Sequence, residues 1–203
     1  MTDDLAPANE WDAYAADWDS DVAARAYAAA ALASLQTVLA RTASIRAGLD
    51  GVDVIDFGAG TGLLTERLVD AGSRVHAVDT STAMLEEIRT KIETRSWTNV
   101  TVGAEPPPIG APFDLVVCSS VCAFVDDYPS TVAELADRLR PGGLFVQWDW
   151  ERTSDDDTHG LTRTEIATAL ESAGLTEVCV DEAFEVHVGD QTMRPLIGHG
   201  RKP

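Results

Sequence analysis

Lysine is almost missing from this chain, which carries it only at Lys91 and Lys202. Even with arginine counted, 15 basic residues face 34 acidic ones, for a net charge of −19. Nucleic-acid phosphates and anionic membrane surfaces both demand a basic footprint, so neither is expected as the main partner. Cysteine is scarce as well. Cys118, Cys122 and Cys179 are odd in number and spaced for no metal site, which reads as reduced thiols in a cytoplasmic protein without a metal. The N-terminal MTDDLAPANE lacks the basic and apolar regions of a secretion signal. No apolar run is read as approaching a membrane span. Internal repeats do not stand out. What these absences leave is one acidic domain of 203 residues, 45% hydrophobic and long enough to bury a core. Residues 1–8 read as a flexible tail and 9–203 as the single domain.

The most informative stretch is VDVIDFGAGTGLLTERL, Val52 to Leu68. Val52, Val54, Ile55 and Phe57 make a short apolar run, as in a strand buried on both faces. Gly58, Gly60 and Gly62 follow at once, and Leu63, Leu64, Leu68 and Val69 then recur at helical spacing. Strand, glycine turn and helix open a nucleotide-type βαβ unit. The glycines allow a sharp turn and bring backbone N–H groups close to a ligand at a helix N-terminus. A second strand, Arg74 to Val78, ends in Asp79. At that spacing a carboxylate emerges beside the loop, where it can accept from both hydroxyls of a ribose. Leu63 stands where a dinucleotide fingerprint needs its third small residue. A ribose-bearing ligand without pyrophosphate therefore fits better than a dinucleotide.

Around this unit, residues 9–49 read as a helical region. Trp11, Tyr14 and Trp18 share three-and-four spacing in WDAYAADWDSD, and an alanine-rich helix runs from about Val22 to Leu49. The aromatic stripe suits either a core face or a lid, and the surrounding aspartates favour weak docking and hence the lid. After Asp79, Thr80 or Ser81 caps a helix to about Thr94. Val100 to Val102 is a strand ending at Gly103, and Pro106-Pro107-Pro108 stiffens the loop beyond it. Phe113 to Cys118 reads as a buried strand. A helix from Tyr128 or Pro129 to about Leu139 is stopped by Arg140-Pro141-Gly142-Gly143. Leu144 to Trp150 is the next strand. Asp155-Asp156-Asp157 lies in a polar loop and reads as solvated rather than metal-binding. Thr162 and Glu165 form a capping box. Thr176–Val188 and Thr192–Gly200 read as a hairpin turning at Gly189-Asp190. Alternating β and α units with this ending imply an α/β protein.

DFGAGTG, VDTSTAML, FDLVVCSS and LRPGG, in that order, resemble the class I S-adenosylmethionine-dependent methyltransferases from about Trp11 to the C-terminus. The resemblance implies a Rossmann-like three-layer α/β/α sandwich, with a mostly parallel seven-stranded sheet and a C-terminal antiparallel hairpin. It implies S-adenosyl-L-methionine as cofactor and S-adenosyl-L-homocysteine as product. Asp56, Gly58, Ala59, Gly60 and Gly62 would hold the methionine part, and Asp79 the ribose. Thr80 and Met84 would line the adenine pocket. Ala104 and Glu105 occupy the place where the family reads the adenine edge, although the usual Gly-Asp pair is here Gly103-Ala104. Cys118 would lie beside the transferred methyl, and Trp18 in the lid over the cofactor.

The position after the fourth strand, Cys118-Ser119-Ser120, lacks the Asn/Asp-Pro-Pro-aromatic run of enzymes that methylate nucleic-acid amino groups. Neither Cys118 nor Cys122 follows a proline, as a cytosine-C5 nucleophile would. A small-molecule methyl acceptor is the expectation, in a monomer or homodimer. His159 and His187 are conceivable bases, with packing or surface roles as the alternative, and no catalytic residue is assigned. Trp148, Trp150 and Glu151 are candidates for the acceptor pocket. An NAD-type oxidoreductase and a non-catalytic S-adenosylmethionine-binding protein remain open as other readings of the same architecture.

Overall fold

A computed structural model of the chain describes residues 9–42, 48–110, 112–154 and 160–203. The expected tail at 1–8, the Asp155–Asp157 run and His159 lie outside the described residues. The chain opens with a 3-10 turn, Glu10–Tyr14, capped by Asn9, and continues through α1 (Ala15–Trp18) and α2 (Val22–Thr42). There follow β1 (Asp53–Phe57), α3 (Leu63–Asp70), β2 (Arg74–Val78), α4 (Thr82–Arg95), β3 (Val100–Gly103) and β4 (Phe113–Ser119). The second half holds α5 (Tyr128–Ala136), β5 (Leu139–Asp149), α6 (Arg163–Ser172), β6 (Thr176–Glu182), β7 (Val186–Val188), β8 (Gln191–Met193) and β9 (Leu196–Arg201).

The main sheet has seven strands in the order β3-β2-β1-β4-β5-β9-β6. The first five run parallel, and β9 pairs antiparallel with both β5 and β6. Side chains alternate across the sheet, so neighbouring apolar residues enter different layers. Val54, Val117, Val146 and Trp148 meet Leu35, Leu64, Leu68 and Ile88 on one face. Ile55, Val116 and Phe145 meet Val132, Leu135, Ile166 and Leu170 on the other. This is why the strands read as unbroken apolar runs. Burying one such side chain fully, as at Phe145, contributes about 1.5–3 kcal/mol. Trp148 is fully buried, and its indole N–H donates to Ser34 Oγ at 2.8 Å.

The caps explain the boundaries. Ser81 accepts from the Met84 N–H and starts α4, and Asp127 accepts from the Ser130 N–H and starts α5. The Thr162–Glu165 capping box opens α6.

Several expectations are revised. The alanine-rich helix is described from Val22 to Thr42, residues 43–47 of its expected course lie outside the described residues, and Leu49 sits in a bend before β1. The fifth helix ends at Ala136, and Leu139 already pairs with Phe113 before an irregularity resets the register at Leu144. The C-terminal hairpin turns where expected but is not continuous. Its base, β6 and β9, completes the main sheet, whereas β7 and β8 form a separate two-stranded ribbon. The break falls at Ala183–Glu185 and at Arg194-Pro195, where a proline cannot donate to a ladder. The reading that no apolar run approaches a membrane span is also corrected. Val22–Thr42 has the length for one and a window of mean hydropathy 1.3. Alanine raises hydropathy without adding bulk, and here Tyr27, Ala31, Leu35 and Leu39 of that helix are buried against the sheet.

Candidate functional site

Strand order reverses between β1 and β4, and ligands of open α/β sheets bind beyond the carboxyl ends of the strands at such a point. A cavity of ≈ 610 Å³ lies there, within the size range of small-molecule and cofactor sites. Of the residues proposed from sequence, Trp18, Asp56, Gly58, Ala59, Gly60, Asp79, Thr80 and Met84 line it.

The glycine loop forms one wall. Gly58 has φ +70°, and an added Cβ would lie 2.4 Å from the Val121 side chain. Gly60 has φ +55° with nothing within 4 Å of an added Cβ, so this turn faces open space. Asp79 sets the loop's position. One carboxylate oxygen accepts from the Gly60 N–H at 2.8 Å and the other from the Ser81 N–H at 2.9 Å. Each oxygen retains a lone pair for a further donor. Burial pushes the Asp79 carboxyl above its ordinary value, although these two bonds pull it down.

Asp56 lies beneath the loop, fully buried, with one oxygen accepting from Thr65 Oγ at 2.6 Å. Its other oxygen has no hydrogen-bond partner. Burial raises this carboxyl to about 6. A buried acceptor without a partner is costly.

Four of the proposed residues are not brought to this wall. Gly62 caps α3 at φ +86°, and its added Cβ would meet Ile88 at 3.0 Å, so its role is close packing. Ala104 and Glu105 are exposed and do not line the cavity. The chain turns back over β2 after Gly103, leaving Glu105 beside His76. Cys118 is fully buried behind the wall, in the layer facing α5 and α6. Of the acceptor-pocket candidates only Trp150 lines the cavity. Trp148 is core, and Glu151 pairs with Arg163 at 2.8 Å. His187 lies on the β7–β8 ribbon, bonded to Thr192 and Glu185, and is not among the lining residues.

Sequence reasoning missed Tyr27 and Phe124, and from the run Cys118-Ser119-Ser120 it named Cys118 as a site residue where Ser119 and Ser120 line the cavity. Tyr27 is the only aromatic residue of α2, and that was the available signal. Its ring meets Trp150 at 5.6 Å and Phe184 at 5.2 Å. Its hydroxyl accepts from Ser120 Oγ at 2.9 Å, and burial holds its proton well above the usual phenol range. Ser120 has φ +56°, a left-handed conformation that costs roughly 1–2 kcal/mol for a residue with a Cβ. Such strain clusters at functional sites.

The segment 9–21 crosses the mouth. Asn9 donates to Thr80 Oγ at 3.0 Å, Asp12 accepts from Ser81 Oγ at 2.5 Å, and Asp19 accepts from Thr61 Oγ at 2.5 Å and pairs with Lys91 at 2.5 Å. Trp11 meets Phe124 edge-to-face at 5.2 Å. Trp11 and Trp18 line the cavity, and Tyr14 is exposed. The aspartates expected to weaken docking thus include the two that tether the segment. The Ser81 hydrogen bond holds Asp12 below the ordinary carboxylate value.

Behind the cavity, Asp149 accepts from the Ala123 N–H at 3.3 Å and from the Gln147 amide at 2.9 Å, and Gln147 accepts from Tyr128 at 2.7 Å. Burial raises Asp149 to about 7. A carboxyl raised in the folded state opposes folding increasingly as pH rises from its unfolded value to its folded one, and fully above that. Between pH 5.5 and 8.5 the native protein should therefore lose roughly 2 kcal/mol more stability than Asp149→Asn. Denaturant melts of both proteins at the two pH values measure this, and an equal loss would contradict it.

The fold and the site together define a doubly wound α/β protein with a cavity at its glycine loop. The methyltransferase-domain family profile matches residues 55–145. The chain is 33% identical over 116 residues to a trans-aconitate 2-methyltransferase of Azoarcus sp. (strain BH72), covering 56% of this chain and 45% of that protein. It is 32% identical over 155 residues to a ubiquinone biosynthesis O-methyltransferase of Methylobacterium sp. (strain 4-46), covering 63% and 61%. It therefore spans about half the length of the curated relatives it matches. Among solved structures, a putative methyltransferase of Haloferax volcanii, in complex with the Trm112 methyltransferase activator, superimposes with TM-score 0.68 at 21% identity, covering 97% and 99%. Magnesium protoporphyrin IX methyltransferase of Synechocystis PCC 6803, with bound S-adenosylhomocysteine, gives 0.63 at 18%, covering 84% of each chain. Residues 55–145 thus match a methyltransferase domain, and the solved structures share the fold of this chain.

Proposed function

We propose that the protein transfers a methyl group from S-adenosylmethionine to a small-molecule acceptor. The observation that carries this is the Gly58–Gly60 loop fastened by Asp79 at the wall of the switch-point cavity. Bound there, the cofactor supplies a methyl already activated on a sulfonium, so the protein's work is orientation and exclusion of water. In this reading Asp79 accepts from the ribose hydroxyls, and Thr80 and Met84 flank the base. The open oxygen of Asp56 accepts from the cofactor's amino group, which would lower its proton affinity from about 6. Calorimetric titration with S-adenosylhomocysteine, with NAD as the comparison ligand, tests the proposal. Saturable binding of the first alone supports it, and preferential binding of NAD would assign the loop to an oxidoreductase.

Residues 9–21 act as the lid of this site. Their side-chain hydrogen bonds and ion pair join the glycine loop to the start and middle of α4, a geometry suited to closing over a ligand and keeping water from the methyl. Hydrogen exchange across 9–21 should slow when S-adenosylhomocysteine binds. Strong and equal protection with and without ligand would make the segment a fixed part of the core. Trp18→Ala should cost cofactor affinity and turnover more than melting temperature.

Trans-aconitate is a polycarboxylate, and no lysine, arginine or histidine appears among the described residues that line this cavity.

A further inference from the structure

We infer that the methyl acceptor is an amine carried on a flat, apolar body. The inference rests on the methyl-transfer reading above and extends it to the class of acceptor.

Three observations converge on it. The first is charge. Asp21, Asp56, Asp79 and Asp126 line the cavity, with no cationic side chain among the described lining residues, in a chain of net charge −19. Asp126 and Asp21 are exposed at the rim, where they attract cations and repel carboxylates on approach. The second is the wall. Trp11, Trp18, Tyr27, Phe124 and Trp150 present aromatic surface, and Tyr27 and Trp150 are tilted 48° to one another at 5.6 Å. Aromatic faces set at an angle attract alkylammonium groups through the ring quadrupole. They also stack on a flat apolar body.

The third is proton bookkeeping. An alcohol or phenol must give its proton to a base as it is methylated. Tyr27 is raised far above the range of a working base, and its hydroxyl already accepts from Ser120. One oxygen of Asp56 is bonded to Thr65 under the loop, and the other is taken by the cofactor's amino group in the reading above. An amine needs no base at the moment of transfer. It arrives as an ammonium ion and gives its proton to water at the exposed Asp126 rim. The free nitrogen lone pair then forms the bond to the methyl carbon as the carbon–sulfur bond breaks. That bonding pair passes to sulfur, which becomes a neutral thioether, and the positive charge moves to nitrogen. The cavity therefore holds one cationic centre before and after the step, as an acidic aromatic wall requires. Transfer to the free base implies a rate that rises with pH until the ammonium is deprotonated.

The test uses the full chain saturated with S-adenosylhomocysteine and a shape-matched pair of probes, 2-phenylethylamine and 3-phenylpropionate. Binding is followed by tryptophan fluorescence and calorimetry, on wild type and on Asp126→Lys. The amine should bind at least tenfold more tightly than the carboxylate, and Asp126→Lys should shrink that ratio more than threefold. Asp126→Asn, which adds no bulk, should shrink it less. Equal or tighter binding of the carboxylate overturns the inference, as does an amine that fails to saturate at millimolar concentration. An unchanged ratio in a folded Asp126→Lys protein overturns it too, by removing the rim charge from selection. In each case intact binding of S-adenosylhomocysteine leaves the methyl-transfer reading standing. If wild type fails to bind S-adenosylhomocysteine at all, the methyl-transfer reading itself falls.

Discussion

Asp79→Ala is expected to weaken binding of S-adenosylhomocysteine by more than tenfold, a loss read directly by calorimetry. Hydrogen bonds to a charged group are worth roughly 1.5–3 kcal/mol, and one carboxylate faces both ribose hydroxyls in the proposed complex. The structure adds a second reason for a large effect. The same carboxylate accepts from the Gly60 and Ser81 N–H groups, so its removal also releases the loop and the start of α4. Asp79→Asn separates the two contributions. An amide keeps one acceptor for a backbone N–H and loses the charge, so it should retain the fold and lose most of the affinity. A folded Asp79→Ala protein with an unchanged dissociation constant would remove the ribose from this position.

Gly60→Val is expected to abolish cofactor binding while leaving a cooperative unfolding transition. No atom lies within 4 Å of a Cβ built at Gly60, so the side chain clashes with nothing in the protein and projects into the space reserved for the ligand. The left-handed backbone at φ +55° adds strain of roughly 1–2 kcal/mol, which a domain with this much buried core withstands. Gly58→Val is the contrasting case. Its added Cβ lies 2.4 Å from Val121, so that variant should lose stability first. Normal binding by Gly60→Val would reduce the loop to a structural turn.

The architecture was largely legible because its signals are local. Apolar runs buried on both faces, glycine breaks, the capping residues Ser81 and Thr162, and the Gly189-Asp190 turn each act over a few residues, and the structure keeps all of them. The loop and Asp79 were legible for the same reason, since a βαβ unit places the end of its second strand beside its first turn. Where the reading depended on distant partners, it went astray. Gly62 looks like its neighbours in the sequence, but Ile88 of α4 turns it into a packing position. Cys118 stands at the end of the right strand, yet its side chain falls on the α5 and α6 side of the pleat. Ala104 and Glu105 follow the right strand, but the chain folds outward before reaching the cavity.

By itself, the amino-acid sequence determined the α/β order, the glycine loop, the carboxylate of Asp79 beside it, the acidity and the family resemblance, all of which are written in short-range patterns. Only the tertiary structure decided what lines the cavity. Tyr27 from α2, Ser120 after β4, Phe124 from the following turn and Trp150 after β5 meet at one cavity because packing of α2 on the sheet brings together residues far apart in the chain. The same long-range packing turned Asp12 and Asp19 from surface charges into tethers for the segment over the mouth. Side-chain direction and long-range contact set the lining of this cavity, and neither has a period or a spacing that a linear reading can register.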